Sequence, residues 1–228
     1  MPPAQDTRWK MIYLARRNPQ LASEDFAQAW REHSALGRQC RNVQDRVRSV
    51  TQCVRSLALE PATASLDYDG VNLLALRDRD CADAIWTDPE TLAIMRPDEL
   101  RVFDRHVRDC ALVAQEQVLV DGPAGAAVLL AFLKRRQTVA AADFARALCL
   151  HSRPWAGVQK SVINWVEPQR PPGYDYDAVA EWWFRDEAHM AQTLAGTRPR
   201  ATLPVLYETV CNLRASVLMP TRVSHRRP

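Results

Sequence analysis

The sequence predicts an α+β fold in which one β-α-β-β-α-β unit occurs twice within a single chain of 228 residues. Three observations predict it: one block returns 118 positions later, a second returns 108 positions later, and a turn-forming stretch, Asp121-Gly-Pro-Ala-Gly125, lies between the copies. In the first block, Met11-Ile-Tyr-Leu-Ala-Arg16-Arg17 and then Ser23-Glu-Asp-Phe26 through His33-Ser34 reappear as Leu129-Leu-Ala-Phe-Leu-Lys134-Arg135 and Ala141-Ala-Asp-Phe144 through His151-Ser152. Arg16 thus matches Lys134, Phe26 matches Phe144 and His33 matches His151. In the second block, Asp67-Tyr68-Asp69-Gly70-Val71 and Arg77-Asp78 return as Asp175-Tyr176-Asp177-Ala178-Val179 and Arg185-Asp186.

Each element follows from local chemistry. Met11 to Arg16 and Val128 to Lys134 are short apolar runs without helical spacing, the pattern of central strands buried on both faces. The next segment of copy one is a helix, with Ser23 as its expected N-cap and Glu24 and Asp25 in the first turn, where the helix dipole favours negative charge. Further strands are expected near Thr51 to Leu59 and Gly70 to Leu76, with counterparts near Gly157 to Val166 and Ala178 to Phe184. Second helical regions, Cys81 to Val107 and Glu187 to Leu206, are broken by Pro89, Pro97, Pro199 and Pro204. Closing strands are expected near Ala111 to Val120 and Thr209 to Leu218. The repeats then span 1–120 and 126–220, and the basic segment 221–228 is expected to be a disordered tail. A β-α-β-β-α-β unit makes a ferredoxin-like sheet with both helices on one face. Two such units in one chain bury their bare faces against each other as a pseudo-dimer.

Composition narrows the function. Hydrophobic residues at 47% and charged residues at 25% are those of an ordinary globular protein. A formal charge of +3 is too slight to imply nucleic acid or an anionic membrane as partner. Six scattered cysteines, with no C-x-x-C pair and no His at ligand spacing, argue against zinc and for free thiols in the cytoplasm. No charged-then-apolar leader and no apolar run of about 20 residues is present. With no G-x-G-x-x-G, P-loop, G-x-S-x-G or H-E-x-x-H, chemistry without nucleotide, flavin or metal is expected.

Phe26, Trp30 and His33 lie at i, i+4 and i+7, so one helical face carries all three toward the sheet, and Phe144, Leu148 and His151 repeat the arrangement. A His at a helix C-terminus feels the negative end of the dipole while burial opposes its charge, a balance suited to a general base. Such a His equally suits closing the exposed carbonyls of the helix end. His106, His189 and His225 lie in charged surroundings and are expected to be solvated. Trp155, Trp165, Tyr174, Tyr176, Trp182 and Trp183 crowd the second copy and suit either a core or the walls of a pocket for a flat ligand. Trp182 and Trp183 are adjacent on a strand and point to opposite faces. Small residues at Ala15, Ala75 and Ala131 leave room on the strands.

These residues resemble the EthD family of the dimeric α/β barrel superfamily. The resemblance rests on the basic pairs Arg16-Arg17 and Lys134-Arg135, the Phe26, Trp30, His33 helix, the His151-x-x-Pro154 segment and the Tyr68-Asp-Gly-Val71 strand entry. It covers both halves, with departures at Leu148 for the Trp, Leu36 for the Pro and Ala178 for the Gly. It implies a single-chain dimeric α/β barrel, a superfamily that includes cofactor-independent cyclases, dehydratases, decarboxylases, isomerases and monooxygenases. The leading expectation is a lyase or isomerase acting without cofactor on an aromatic or polyketide-like small molecule. His33 or His151 would act as base, and Tyr13 or Tyr68 would donate to the developing enolate oxygen. Trp30, Arg16, Trp155, Tyr176 and Trp183 would bind substrate. The alternatives are a cofactor-free monooxygenase on a phenol and a non-catalytic binding or accessory protein; a homodimer of the chain is compatible with each.

Overall fold

The computed structural model describes residues 8–59, 64–152, 157–196 and 207–227. In chain order the elements of the first half are β1 (Arg8–Ala15), α1 (Phe26–Leu36), α2 (Arg41–Arg46), β2 (Val47–Arg55), β3 (Gly70–Leu76), α3 (Asp80–Thr87), α4 (Pro89–Ile94), α5 (Arg96–Val102) and β4 (Ala111–Val120). The second half contributes β5 (Ala127–Leu133), α6 (Ala141–His151), β6 (Lys160–Val166), β7 (Ala178–Phe184), α7 (Glu187–Gly196), α8 (Tyr207–Val210) and β8 (Val217–Arg227).

All eight strands pair antiparallel in one closed barrel, in the order β1-β3-β2-β8-β5-β7-β6-β4. Each half supplies four consecutive strands of that circle, and the halves meet at two seams, β2 against β8 and β4 against β6. Closure rather than simple stacking of two sheets follows from the edges. Four unpaired strand edges would expose rows of N–H and C=O groups, and pairing them at both seams satisfies all of them. Alternation then decides which side chains look where. Val128, Leu130 and Phe132 of β5 join the core shared with the first half, whereas Leu129, Ala131 and Leu133 pack beneath the second-half helices.

Several local expectations are corrected. The closing strand of the second half runs from Val217 to Arg227, not from Thr209 to Leu218, and the expected basic tail is part of it. The pairing Val50↔Arg227 through Arg55↔Thr221 gives that backbone its partners, while Arg222 and Arg226 stay exposed; charged side chains along a paired barrel strand disguised it as a tail. β2 begins at Val47, four residues before its expected start, and ends at Arg55. Ser23 is not the cap of α1: residues 23–25 form a turn, Ser23 Oγ donates to Glu24 at 3.1 Å, and Asp25 stands at the N-cap with no side-chain cap. The proline breaks behave as their chemistry dictates, since Pro89 and Pro97 open α4 and α5, and Asp88 caps α4 by accepting from Thr91 N at 2.8 Å. Pro199 and Pro204 lie outside the described residues.

The connection at Asp121 to Gly125 carries no regular element and joins β4 to β5. Gly125 is demanded there by a close approach, because a Cβ would stand 1.9 Å from the carbonyl oxygen of Phe184. All six cysteines are free, and all but Cys149 are buried. No helix among the described residues is long and apolar enough to cross a membrane.

Candidate functional site

The space between the first-half helices and the outer face of β1 and β3 holds a pocket of about 60 Å³. Tyr13, Trp30 and His33 all line it, brought together because Tyr13 sits on the helix-facing side of β1 and α1 lays Trp30 and His33 over it. Tyr13 on that face puts Met11 there too and turns Ile12 to the barrel interior. Trp30 is pinned edge-on to Phe103 at 5.6 Å and tilted against Phe26 at 5.1 Å. Across the strands, Tyr13 is the register partner of Asn72, which also lines the pocket and is almost fully buried.

His33 is buried and its Nδ1 lies 3.0 Å from Oδ2 of Asp98, in the first turn of α5. Asp98 is in turn held by Arg101, whose Nε donates at 2.6 Å. Burial lowers the His33 pKa below its ordinary value, with Asp98 pulling the other way. Burial pushes Asp98 up, but hydrogen bonds from Arg101 and His33 outweigh it and leave the carboxyl below its usual range. The ring is therefore neutral near pH 7. With Asp98 accepting from Nδ1–H, the lone pair sits on Nε2, which has no hydrogen-bond partner among the described residues. Burial and the nearby Glu99 carboxylate push the Tyr13 phenol above its ordinary value, so it remains a donor. Glu99 also lines the pocket and is already engaged, accepting from Val107 N at 3.1 Å and bonded to His106 Nδ1 at 2.9 Å. Asn72 Oδ1 has no hydrogen-bond partner among the described residues.

The remaining sequence-predicted residues lie elsewhere. Tyr68 meets Tyr176, hydroxyl to hydroxyl at 3.5 Å, with the Arg16 guanidinium 4.6 Å above the Tyr68 ring and Arg16 Nε donating to Asp67 O at 2.8 Å. Trp183 points into the barrel and donates to Glu181 Oε2 at 2.9 Å. Trp155 and the side chain of His151 are outside the described residues. Trp182 points the other way from Trp183, as adjacent strand residues must, and packs on Tyr207 at 6.1 Å. The three histidines expected in solvent are each half-buried. His106 is held by Glu99, His189 lies edge-on to Phe184 at 6.3 Å, and His225 reaches the pocket from β8.

In the second half the register pair at the place of Tyr13 and Asn72 is Ala131 and Ala180, and among the described residues Leu148, Trp182, Tyr207 and Cys211, all fully buried, share with them the cluster beneath the second-half helices. Ser152 and Tyr207 share a hydrogen bond inside this packing. Asp98, Asn72, Glu99 and Trp86 were missed by sequence reasoning. Asn72 left a signal, being the one polar residue in Gly70–Leu76; Asp98 left none, because only folding brings α5 to α1. Among the described residues no three His, Cys, Asp or Glu side chains converge to hold a metal.

The architecture is similar to solved structures over nearly its whole length. A candidate monooxygenase of Fusobacterium nucleatum subsp. nucleatum ATCC 25586 matches with a TM-score of 0.63 at 5% identity, covering 97% of this chain and 94% of that one. An anthrone oxidase-like protein matches with a TM-score of 0.60 at 10% identity, covering 98% and 94%. A mutant chlorite dismutase from Candidatus Nitrospira defluvii, in complex with cyanide, matches with a TM-score of 0.55 at 9% identity, covering 97% and 92%. At such identities the likeness is one of fold, that of the dimeric α/β barrel proteins. No curated protein matches the sequence. The family model for the EthD domain matches residues 18–106, the stretch that carries α1, β2, β3 and the His33–Asp98 pair. In that stretch the resemblance read from the motifs is shown: residues 18–106 of this chain are similar to the EthD domain.

Proposed function

We propose that the first-half pocket is the active site of a cofactor-independent lyase or isomerase that removes a proton next to a carbonyl of an aromatic or polyketide-like small molecule. The observation that carries this reading is the 3.0 Å contact between His33 and Asp98 inside the pocket. It fixes the tautomer, holds the ring and leaves Nε2 as the base. Tyr13 and Asn72, partners across β1 and β3, supply an O–H and an amide N–H for the oxygen on which charge develops. Trp30 and Trp86 wall the space. A cavity known to hold benzene measures roughly 150 Å³, so a ring enters this narrower one only as neighbouring side chains give way. Met95, flexible and partly exposed at the pocket wall, is the side chain best suited to do so.

The finer organisation belongs to the same proposal. The chain is read as two EthD-like ferredoxin-like repeats, the second now extended through β8, of which the first does the chemistry and the second completes the barrel.

The test is proton exchange. Aromatic ketones and 1,3-dicarbonyl compounds incubated with the protein in deuterated water should exchange the hydrogen next to the carbonyl, followed by NMR. His33→Gln should slow that exchange about 100-fold or more, the usual scale for losing a general base. No exchange above the uncatalysed rate with any of them counts against the reading. A second reading, a cofactor-free monooxygenase on a phenol, draws on the monooxygenase and oxidase-like names of the structural neighbours. Substrate-dependent oxygen uptake without prior carbon–hydrogen exchange would favour it instead.

A further inference from the structure

The pocket wall that does not come from the first half is basic. His225 and Arg227, both half-buried, line it from β8, held there by the register Gln52↔His225 and Val50↔Arg227. Arg31 of α1 stands beside that strand, its Nη1 3.5 Å from Ser224 O. Burial lowers the pKa of both His225 and Arg227, and the charge of Arg38, just beyond α1, adds to the effect on each. Among the described residues no carboxylate pairs with Arg38, His225 or Arg227. The acids nearest the pocket are committed elsewhere, Glu99 to His106 and Val107 N, and Asp98 to His33 and Arg101.

Partial burial of a guanidinium among like charges, with no counter-ion, costs stability unless an anion completes the site. A carboxylate matches the planar fork of arginine, and it is the anionic group an aromatic or polyketide-like acid carries. We infer that this basic mouth binds the carboxylate of the substrate, so that the molecule taken is an aromatic or polyketide-like acid in its anionic form. Its carboxylate rests on Arg227 and His225, and its reacting carbon faces His33. The inference rests on the pocket being the substrate site, but not on the proton transfer assigned to His33.

Isothermal titration with 1-naphthoate and with its neutral amide tests it. The wild type should bind the naphthoate at least about tenfold more tightly. Rising salt should shrink that preference, since charges near the surface are screened over about 10 Å at 0.1 M. Arg227→Gln should bring the two affinities within about threefold, chiefly by weakening the naphthoate, while Arg227→Lys, which keeps the charge, retains most of the preference. His33→Gln should keep the preference intact, so loss of the base and loss of the anion site give different results. Equal binding of the two probes by the wild type, no binding of the naphthoate, or a preference that survives in Arg227→Gln overturns the inference. Should Arg227→Gln not fold, His225→Gln and the salt titration of the wild type decide it.

Discussion

At the scale of single residues, the proposed chemistry turns on how Asp98 treats His33. With His33 as the base, activity needs neutral Nε2, so kcat/KM should rise with pH through an inflection below the ordinary histidine value of 6.5, because burial lowers the pKa. Asp98→Asn removes the group that raises it. The acid limb should then move to still lower pH while the plateau falls, since the ring is no longer held in one tautomer. A pH profile of both variants checks this, and a purely structural Asp98 would leave the inflection where it was. The same shift predicts a stability effect. His33 has a folded pKa below its unfolded one, so its contribution is complete above about 6.5 and is lost as pH falls through the folded value. Thermal melts from pH 7 to pH 5 should therefore steepen less with pH in His33→Gln than in the wild type. Tyr13, Trp30 and His33 could be named from sequence because their spacing along one strand and one helix is local. Asp98 could not, since its partner lies 65 positions away and nothing in Arg96-Pro-Asp98 marks it.

At the scale of elements, the floor of the pocket depends on the absence of a side chain at Gly70. A Cβ there would come within 2.3 Å of Trp30 Cζ3, 3.0 Å of Phe26 Cε1 and 3.1 Å of Cys53 O. Gly70→Ala should push Trp30 out of its packing on Phe103 and cost about 1–3 kcal/mol, the usual range for overpacking, read by chemical denaturation. Binding of any flat ligand should weaken with it. The strands Gly70–Leu76, Ala111–Val120 and Ala178–Phe184 coincide with what their apolar patterns predict, because burial on one or both faces writes itself directly into the sequence. β8 did not, for the opposite reason. Its residues Arg222, Ser224, His225, Arg226 and Arg227 carry the polar face of a seam and the mouth of a pocket, and polarity of that kind reads as a tail. Pro220 sits within the strand and keeps its acceptor, its carbonyl taking a hydrogen bond from Ser56 N at 2.9 Å.

At the scale of the whole molecule, the two halves are joined through the barrel interior as well as at its seams. Lys10 of β1 lies 2.6 Å from Glu116 of β4 and 2.6 Å from Glu181 of β7, and Asn164 of β6 donates to the same Glu181 oxygen at 2.7 Å. Burial works against the charge on Lys10, but Glu181 and Glu116 outweigh it and hold its pKa above the ordinary value. Lys10→Met would leave two buried carboxylates facing each other. It should destabilise the protein by about 3–5 kcal/mol, and Glu181→Gln in the same chain should restore part of that; urea unfolding of the single and double variants checks it. Residues 1–120 made alone would expose the edges of β2 and β4. They should associate with one another on size exclusion, since free edges pair, and a stable monomer would speak against barrel closure as the reason the halves stay together. Most strands of the barrel were legible because each keeps its apolar pattern, while the closure of the two sets of four strands into one barrel was not, since it depends on which edges meet at the seams.

β8 lies at the far end of the chain from β1, yet its residues finish the wall of a pocket whose other parts are made before residue 108. As the polypeptide leaves the ribosome, His33 and Asp98 emerge long before Arg227, and for that interval the half-made site stands open to water along β2. On the proposed reading, competence for binding therefore arrives as a late event of synthesis, after the second half has been translated and has docked. A nascent chain stalled short of β8 would hold His33 and the aromatic walls but no closed chamber.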